Sequence, residues 1–178
     1  MVEFTGILSI VRDLTWGENH ILHILLREFR VQIMGGYPLW LVGGADSYSD
    51  IDVYCNTWEQ WTHVVRYLMA VGFKEVGGTR HTLQFQFHNG VEWVKPIFQI
   101  VQPGFKYFDD IDLLRCADLS PSACLLELND GDEFEVLALY PEDIKNRRCR
   151  VLIEHEFTPY RIDQYRKKGY EIIPLIPL

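Results

Sequence analysis

The chain has 178 residues, 48% of them hydrophobic and 24% charged, and a formal net charge of −8. That balance describes a folded globular protein rather than a disordered or fibrous chain, and the length suits a single domain. The acidic sum argues against a protein that grips long duplex nucleic acid along its backbone, which calls for a net basic face. No apolar run approaches the ~20 residues of a membrane span. No signal peptide is legible at the N-terminus, so a soluble, cytoplasmic protein is expected. The four cysteines, Cys55, Cys116, Cys124 and Cys149, show no metal-finger spacing and read as free thiols.

Met1 to Asp13 carries no clear pattern. From Thr15 the apolar residues Trp16, Ile21, Ile24, Leu25 and Phe29 recur at helical spacing, with Glu18 early and Arg27 and Arg30 late. Gly35-Gly36 and Pro38 are expected to stop that helix. The short apolar run Leu39–Val42 reads as a buried strand, ended by Gly43-Gly44. Asp50–Cys55 then alternates polar and apolar as a second strand would. Asn56 or Thr57 caps a helix from Trp58 to about Ala70, stopped at Gly72.

Leu83, Phe85 and Phe87 alternate with polar residues up to Asn89-Gly90, a strong hairpin signal, and Val91–Val101 is the return strand. Ile111–Ala117, Ala123–Leu128 and Phe134–Leu139 read as three further strands, the last two joined through the turn Asn129–Asp132. Pro141-Glu142-Asp143 opens one C-terminal helix and Thr158-Pro159 a second, which ends at Gly169. The expected fold class is α/β (α+β), a mixed sheet flanked by helices. Its core spans about 15–140, and a helical segment follows over about 141–170.

The stretch Leu41–Tyr54 carries the chemistry. Carboxylates at i and i+2 on a strand share a face and can hold one divalent cation between them. Asp50 and Asp52 are such a pair. Glycines at the end of the preceding strand let backbone amides approach phosphate. This order of strand, glycine pair, loop and Asp-x-Asp resembles the nucleotidyltransferase superfamily, typified by DNA polymerase beta and CCA-adding enzymes. The resemblance implies transfer of a nucleoside monophosphate from an NTP, ATP among them, with Mg²⁺ or Mn²⁺ as cofactor. It matches Gly43 and Gly44 to the phosphate-binding glycines, with Ser49 beside them, and Asp50 and Asp52 to the metal-binding carboxylates. The spacer Ala45–Ser49 is shorter than most members have. A fainter resemblance, to small nucleotidyltransferase-like proteins of large DNA viruses and phages, rests on Phe98–Ile100, Ile111–Leu113 and Arg161–Gly169.

Members of that superfamily place a third carboxylate on a neighbouring core strand. Here the strand Pro96–Val101 offers Gln99 and no acid. Asp112, between Ile111 and Leu113, is the expected third catalytic and metal-binding residue, with Glu92 as the other candidate and a structural role for Asp112 the alternative. Asp46 reads as a loop residue. Arg161 and Lys168 share a helical cluster with Arg166 and Lys167; they either grip triphosphate or acceptor or complement the helix C-terminus. Arg147, Arg148 and Arg150 carry the same ambiguity. His20 and His23 have no third partner nearby in sequence.

No Gly-x-x-x-x-Gly-Lys loop or Gly-x-Ser-x-Gly elbow is present, which excludes the commonest NTPase and hydrolase designs. The expected activity is metal-dependent NMP transfer to an acceptor left open by the sequence: an RNA end, a protein hydroxyl or a small molecule. The alternative is a degenerate member that keeps the fold as a nucleotide-binding or protein-interaction module.

Overall fold

The computed structural model describes residues 7–8, 19–104 and 110–175. The expected start of the first helix at Thr15, with Trp16 and Glu18, lies outside the described residues. Helix α1 (Asn19–Arg27) buries Leu22, Leu25 and Leu26 along one stripe. It ends earlier than its spacing predicts. Arg30 turns the chain at φ 52°, and Gln32–Met34 form strand β2. All three residues of β2 are buried, and the strand lies between two others, so no polar–apolar alternation marked it.

Gly35 follows at φ 91°, and Gly36–Leu41 form helix α2, where a strand was expected over Leu39–Val42. The reason is local. Pro38 sits in the first turn, where its missing N–H costs nothing, and Leu39 donates its N–H to the Gly35 carbonyl at 3.2 Å. A four-residue apolar run has no period that separates strand from buried helix.

Strand β3 (Asp50–Tyr54) and helix α3 (Trp58–Ala70) match their sequence patterns. Thr57 caps α3, its hydroxyl oxygen accepting from the Gln60 N–H at 3.1 Å. β4 (Phe73–Gly78), β5 (Thr82–His88) and β6 (Trp93–Val101) form a meander whose second turn is Asn89-Gly90, with Gly90 at φ 94°. The segment read as a strand from Ile111 is instead helix α4 (Asp110–Arg115), with Leu113 and Leu114 buried.

β7 (Cys124–Leu128) and β8 (Phe134–Ala138) pair antiparallel. Beyond α5 (Pro141–Lys145), β9 (Arg148–Arg150) pairs parallel with β10 (Glu171–Ile173) across α6 (Thr158–Lys167), where only helices were expected. A two-residue strand β1 (Ile7–Leu8) completes a mixed sheet in the order β1-β8-β7-β2-β3-β6-β5-β4. β3 is central, antiparallel to β2 and parallel to β6. Its alternation puts Ile51 and Val53 into the main core and leaves Asp50 and Asp52 on the opposite face. Cys55, Cys124 and Cys149 are buried free thiols, and Cys116 is exposed. No helix among the described residues is long and apolar enough to cross a membrane.

Candidate active site

Asp50 and Asp52 open onto a cleft of about 1010 Å³. One wall is Met34, Gly35 and Gly36 at the β2–α2 turn, and a second is His81, Thr82 and Lys95 from the meander. The third is α6 and its end, with Arg161, Gln164, Tyr165 and Lys168. β3 supplies the floor. The extended backbone two residues apart puts the two carboxylates side by side, and burial together with the Asp50 charge pushes Asp52 up to about 7, against the pull of Arg161.

Each carboxylate has defined neighbours. Ser49 donates its hydroxyl to Asp50 Oδ1 at 2.9 Å, and Gln99 donates its side-chain Nε2–H to Asp50 Oδ2 at 2.5 Å. Gln99 comes from β6, where it stands level with Asp52 in the parallel register. Gly35 closes on Asp52 from the other side, since a Cβ built there would lie 3.4 Å from Asp52 Oδ2. That is ordinary van der Waals distance, and it is the backbone turn at φ 91° that calls for glycine at Gly35.

Arg161 and Lys168 face the pair from α6 and its end, with Lys95 on the meander wall. Arg161 ion-pairs with Asp118, which is almost fully buried and also meets His155 Nε2 at 3.1 Å. The His155 ring is oriented for this, because its Nδ1 accepts the Phe157 backbone N–H at 3.2 Å. Lys168 lies with its Nζ 5.0 Å from the centre of the Tyr165 ring. Burial pushes its ammonium down, Asp50 opposes that, and Arg161 adds to it.

The sequence-derived residues thus divide. Asp50, Asp52, Ser49, Arg161 and Lys168 converge on the cleft. Gly43 and Gly44 do not line it. Their carbonyls point to the C-terminal segment instead, where Arg147 donates to both, at 3.2 and 2.8 Å, and Tyr170 donates its hydroxyl to Gly44 at 2.7 Å. The glycine pair that follows a strand and borders the carboxylates is Gly35-Gly36. Its signal was Val31–Met34 immediately before it, masked by the helical reading. The spacer from Gly36 to Asp50 is correspondingly longer than Ala45–Ser49.

Asp112 is on α4 rather than a strand and ion-pairs with Arg115 at 3.9 Å; it does not line the cleft, although its neighbour Leu113 does. Glu92 is exposed at the hairpin turn. Among the described residues, no group of three or more His, Cys, Asp or Glu is placed to hold a metal ion. The donor set that exists is the Asp50–Asp52 pair, which suits one divalent cation completed by phosphate and water oxygens.

No family model and no curated protein matches the sequence. Solved structures do match. A CCA-adding enzyme complexed with ATP superposes with a TM-score of 0.63 at 22% identity, covering 89% of this chain and 40% of that one. The Thermotoga maritima CCA-adding enzyme complexed with tRNA gives 0.59 at 24% identity, over 85% of this chain and 38% of that one. A tRNA nucleotidyltransferase complexed with a primer tRNA and an incoming ATP analogue gives 0.58 at 16% identity, over 85% and 46%. The chain spans less than half the length of each. These likenesses show a shared fold, that of the nucleotidyltransferases.

Proposed function

We propose that this chain is a metal-dependent nucleotidyltransferase that moves a nucleoside monophosphate from an NTP to an acceptor hydroxyl. The observation that carries this reading is the placement of Asp50 and Asp52 on one face of β3, opposite Arg161 and Lys168 across a single cleft. Acid on one side and base on the other is what a metal–triphosphate needs: carboxylates for the cation, guanidinium and ammonium for phosphate oxygens. A divalent cation, Mg²⁺ or Mn²⁺, held by Asp50 and Asp52 would neutralise phosphate charge during the displacement.

The chain's own residues do the rest. Gly35 and Gly36 leave open backbone beside Asp52 for phosphate to approach. Ser49 fixes the Asp50 carboxylate. Arg161, held by Asp118, presents a fixed fork, and Lys168 a point charge. The acceptor oxygen attacks the α-phosphorus and gives up its proton to water in the cleft, the bond from that phosphorus to the bridging oxygen breaks, and pyrophosphate leaves. Positioning and charge neutralisation account for the catalysis. The structural neighbours named with tRNA support an RNA end as acceptor over a protein hydroxyl or a small molecule.

The test uses NTPs labelled at the α-phosphate, incubated with the protein, Mg²⁺ and either bulk RNA or a protein mixture. Label should pass to the RNA. One observation favours a second reading, a nucleotide-binding module without transfer: Gln99 stands on the strand where a third acid was expected, with its amide on Asp50. Saturable NTP binding with no label transferred to RNA, protein or the chain itself would establish that reading instead.

A further inference from the structure

We infer that Gln99 limits this site to a single divalent cation, the one carried in with the triphosphate, and that Arg161 and Lys168 supply the remaining positive charge. The inference rests on the nucleotide-binding reading above and specifies how that site handles metal. Two divalent cations held about 3.5–4 Å apart repel strongly and need anionic ligands that bridge them. The described part of the cleft offers Asp50 and Asp52 and no third acid.

Gln99 is more than a missing acid. It is level with Asp52 on the adjacent parallel strand β6, and its side chain reaches across to Asp50. From there its Nε2–H fills a lone-pair direction of Asp50 Oδ2 at 2.5 Å. A donor hydrogen therefore occupies a lone pair of Asp50 that a second cation would need, and no carboxylate stands there to bridge. The other carboxylate oxygen, Oδ1, already accepts from Ser49. Asp50 is thus tied at both oxygens before any ligand arrives, and it keeps only its outward lone pairs for a cation.

The cleft makes up the charge with fixed groups. Arg161 is anchored by the buried Asp118, and Lys168 is seated over the Tyr165 ring. Both line the same cleft as the two aspartates. A guanidinium and an ammonium held in place neutralise phosphate oxygens without needing bridging acids.

The experiment counts bound Mn²⁺ per chain by electron paramagnetic resonance, with the full chain saturated by an NTP analogue carrying a methylene between its α- and β-phosphates. The wild type should hold one ion and show no Mn–Mn coupling. Gln99→Glu and Gln99→Asp, each checked for an intact melting transition, should hold a second ion, and the coupled signal should appear. Two coupled ions in the wild type would overturn the inference, since the amide would then have turned its oxygen to a metal. A folded acidic variant that still holds one ion would overturn the role of Gln99. Should both variants lose their fold, the wild-type count decides alone. A wild type that binds neither analogue nor Mn²⁺ sinks the nucleotidyltransferase reading itself, an outcome distinct from a count of two.

Discussion

Two glycine pairs lie eight residues apart, and the structure uses them in opposite ways. Gly35-Gly36 borders the cleft: Gly35 turns at φ 91° against Asp52, and a Cβ at Gly36 would meet nothing within 4 Å. In Gly43-Gly44, Gly43 is an exposed turn residue at φ 76° and Gly44 belongs to the interior. A Cβ at Gly44 would lie 2.2 Å from Leu39 Cδ1 and 2.9 Å from Ile144 Cγ2, and the carbonyls of both residues are held by Arg147 or Tyr170. Gly36 leaves space for a ligand, whereas Gly44 leaves space for the protein itself. A substitution at Gly36 should therefore cost function and spare the fold, and one at Gly44 should do the reverse.

The largest effect should come from the acids that face the first pair. Asp50→Asn combined with Asp52→Asn should lower the rate of NMP transfer by at least about a thousandfold, or roughly 4 kcal/mol of barrier. The apo protein should stay folded, and the rise in melting temperature that Mn²⁺ gives the wild type should vanish. An unchanged metal response in the double variant would mean that the cation binds elsewhere.

Gly44→Val comes next and tests the other side. The two γ-carbons have no room beside Leu39 and Ile144, both buried, so the cost should be about 3 kcal/mol or more of stability. Chemical denaturation should show a large loss, or no folded protein at all. A well-folded Gly44→Val that has lost only NTP binding would reverse the assignment of the two pairs.

This contrast also explains what the sequence could reveal. β3, α3 and the β5–β6 hairpin were legible because each has one wet face and one dry face, with Thr57 or Asn89-Gly90 as punctuation. β2 has no wet face, so Val31–Met34 extended the preceding helical pattern and hid the glycine pair that follows. Leu39–Val42 was too short to show a period, which let Gly43-Gly44 pass for the pair after a strand. Asp112 between apolar residues fits an amphipathic helix as well as a strand, and α4 is the helix. The Asp118–Arg161 pair joins residues 43 apart in sequence. No local pattern reports such a contact. The carboxylate pair itself was legible since its spacing alone fixes a shared face.

Gly36→Ala isolates ligand space from protein space. The methyl meets no protein atom within 4 Å, and Gly36 is already helical, so stability should hold or rise slightly. The methyl is nonetheless added to a residue that lines the cleft. Calorimetry should show NTP affinity falling about tenfold, or roughly 1.4 kcal/mol. Unchanged affinity would move the phosphates away from this turn.

The pH dependence of the apo protein sharpens the cleft side further. Asp52 titrates near 7 in the fold, above the ordinary carboxylate value near 4, chiefly because it is buried. A carboxyl group raised in this way stabilises the fold while protonated, and that contribution is lost as pH rises through 7. The melting temperature should therefore fall between pH 5 and pH 8 by an amount that Asp52→Asn removes. An equal slope in the variant would place the titration elsewhere.

The smallest effect belongs to Tyr170→Phe, on the buried side. Tyr170 is almost fully buried, and its hydroxyl donates to the Gly44 carbonyl at 2.7 Å. Losing that donor does not orphan the carbonyl, because Arg147 Nη1 still reaches it at 2.8 Å. The cost should therefore stay near the ~1 kcal/mol of one ordinary hydrogen bond rather than the larger penalty of a stranded acceptor. In a chain of this length that is a drop of about 2–4 °C in melting temperature. NTP affinity should not move, since neither Tyr170 nor Gly44 lines the cleft. Adding Arg147→Ala removes the second donor and strands the carbonyl, so the double variant should lose more than the sum of the two single changes. A strictly additive pair would mean that water replaces them at Gly44, and the Gly43-Gly44 turn would then be less tightly closed than its geometry implies.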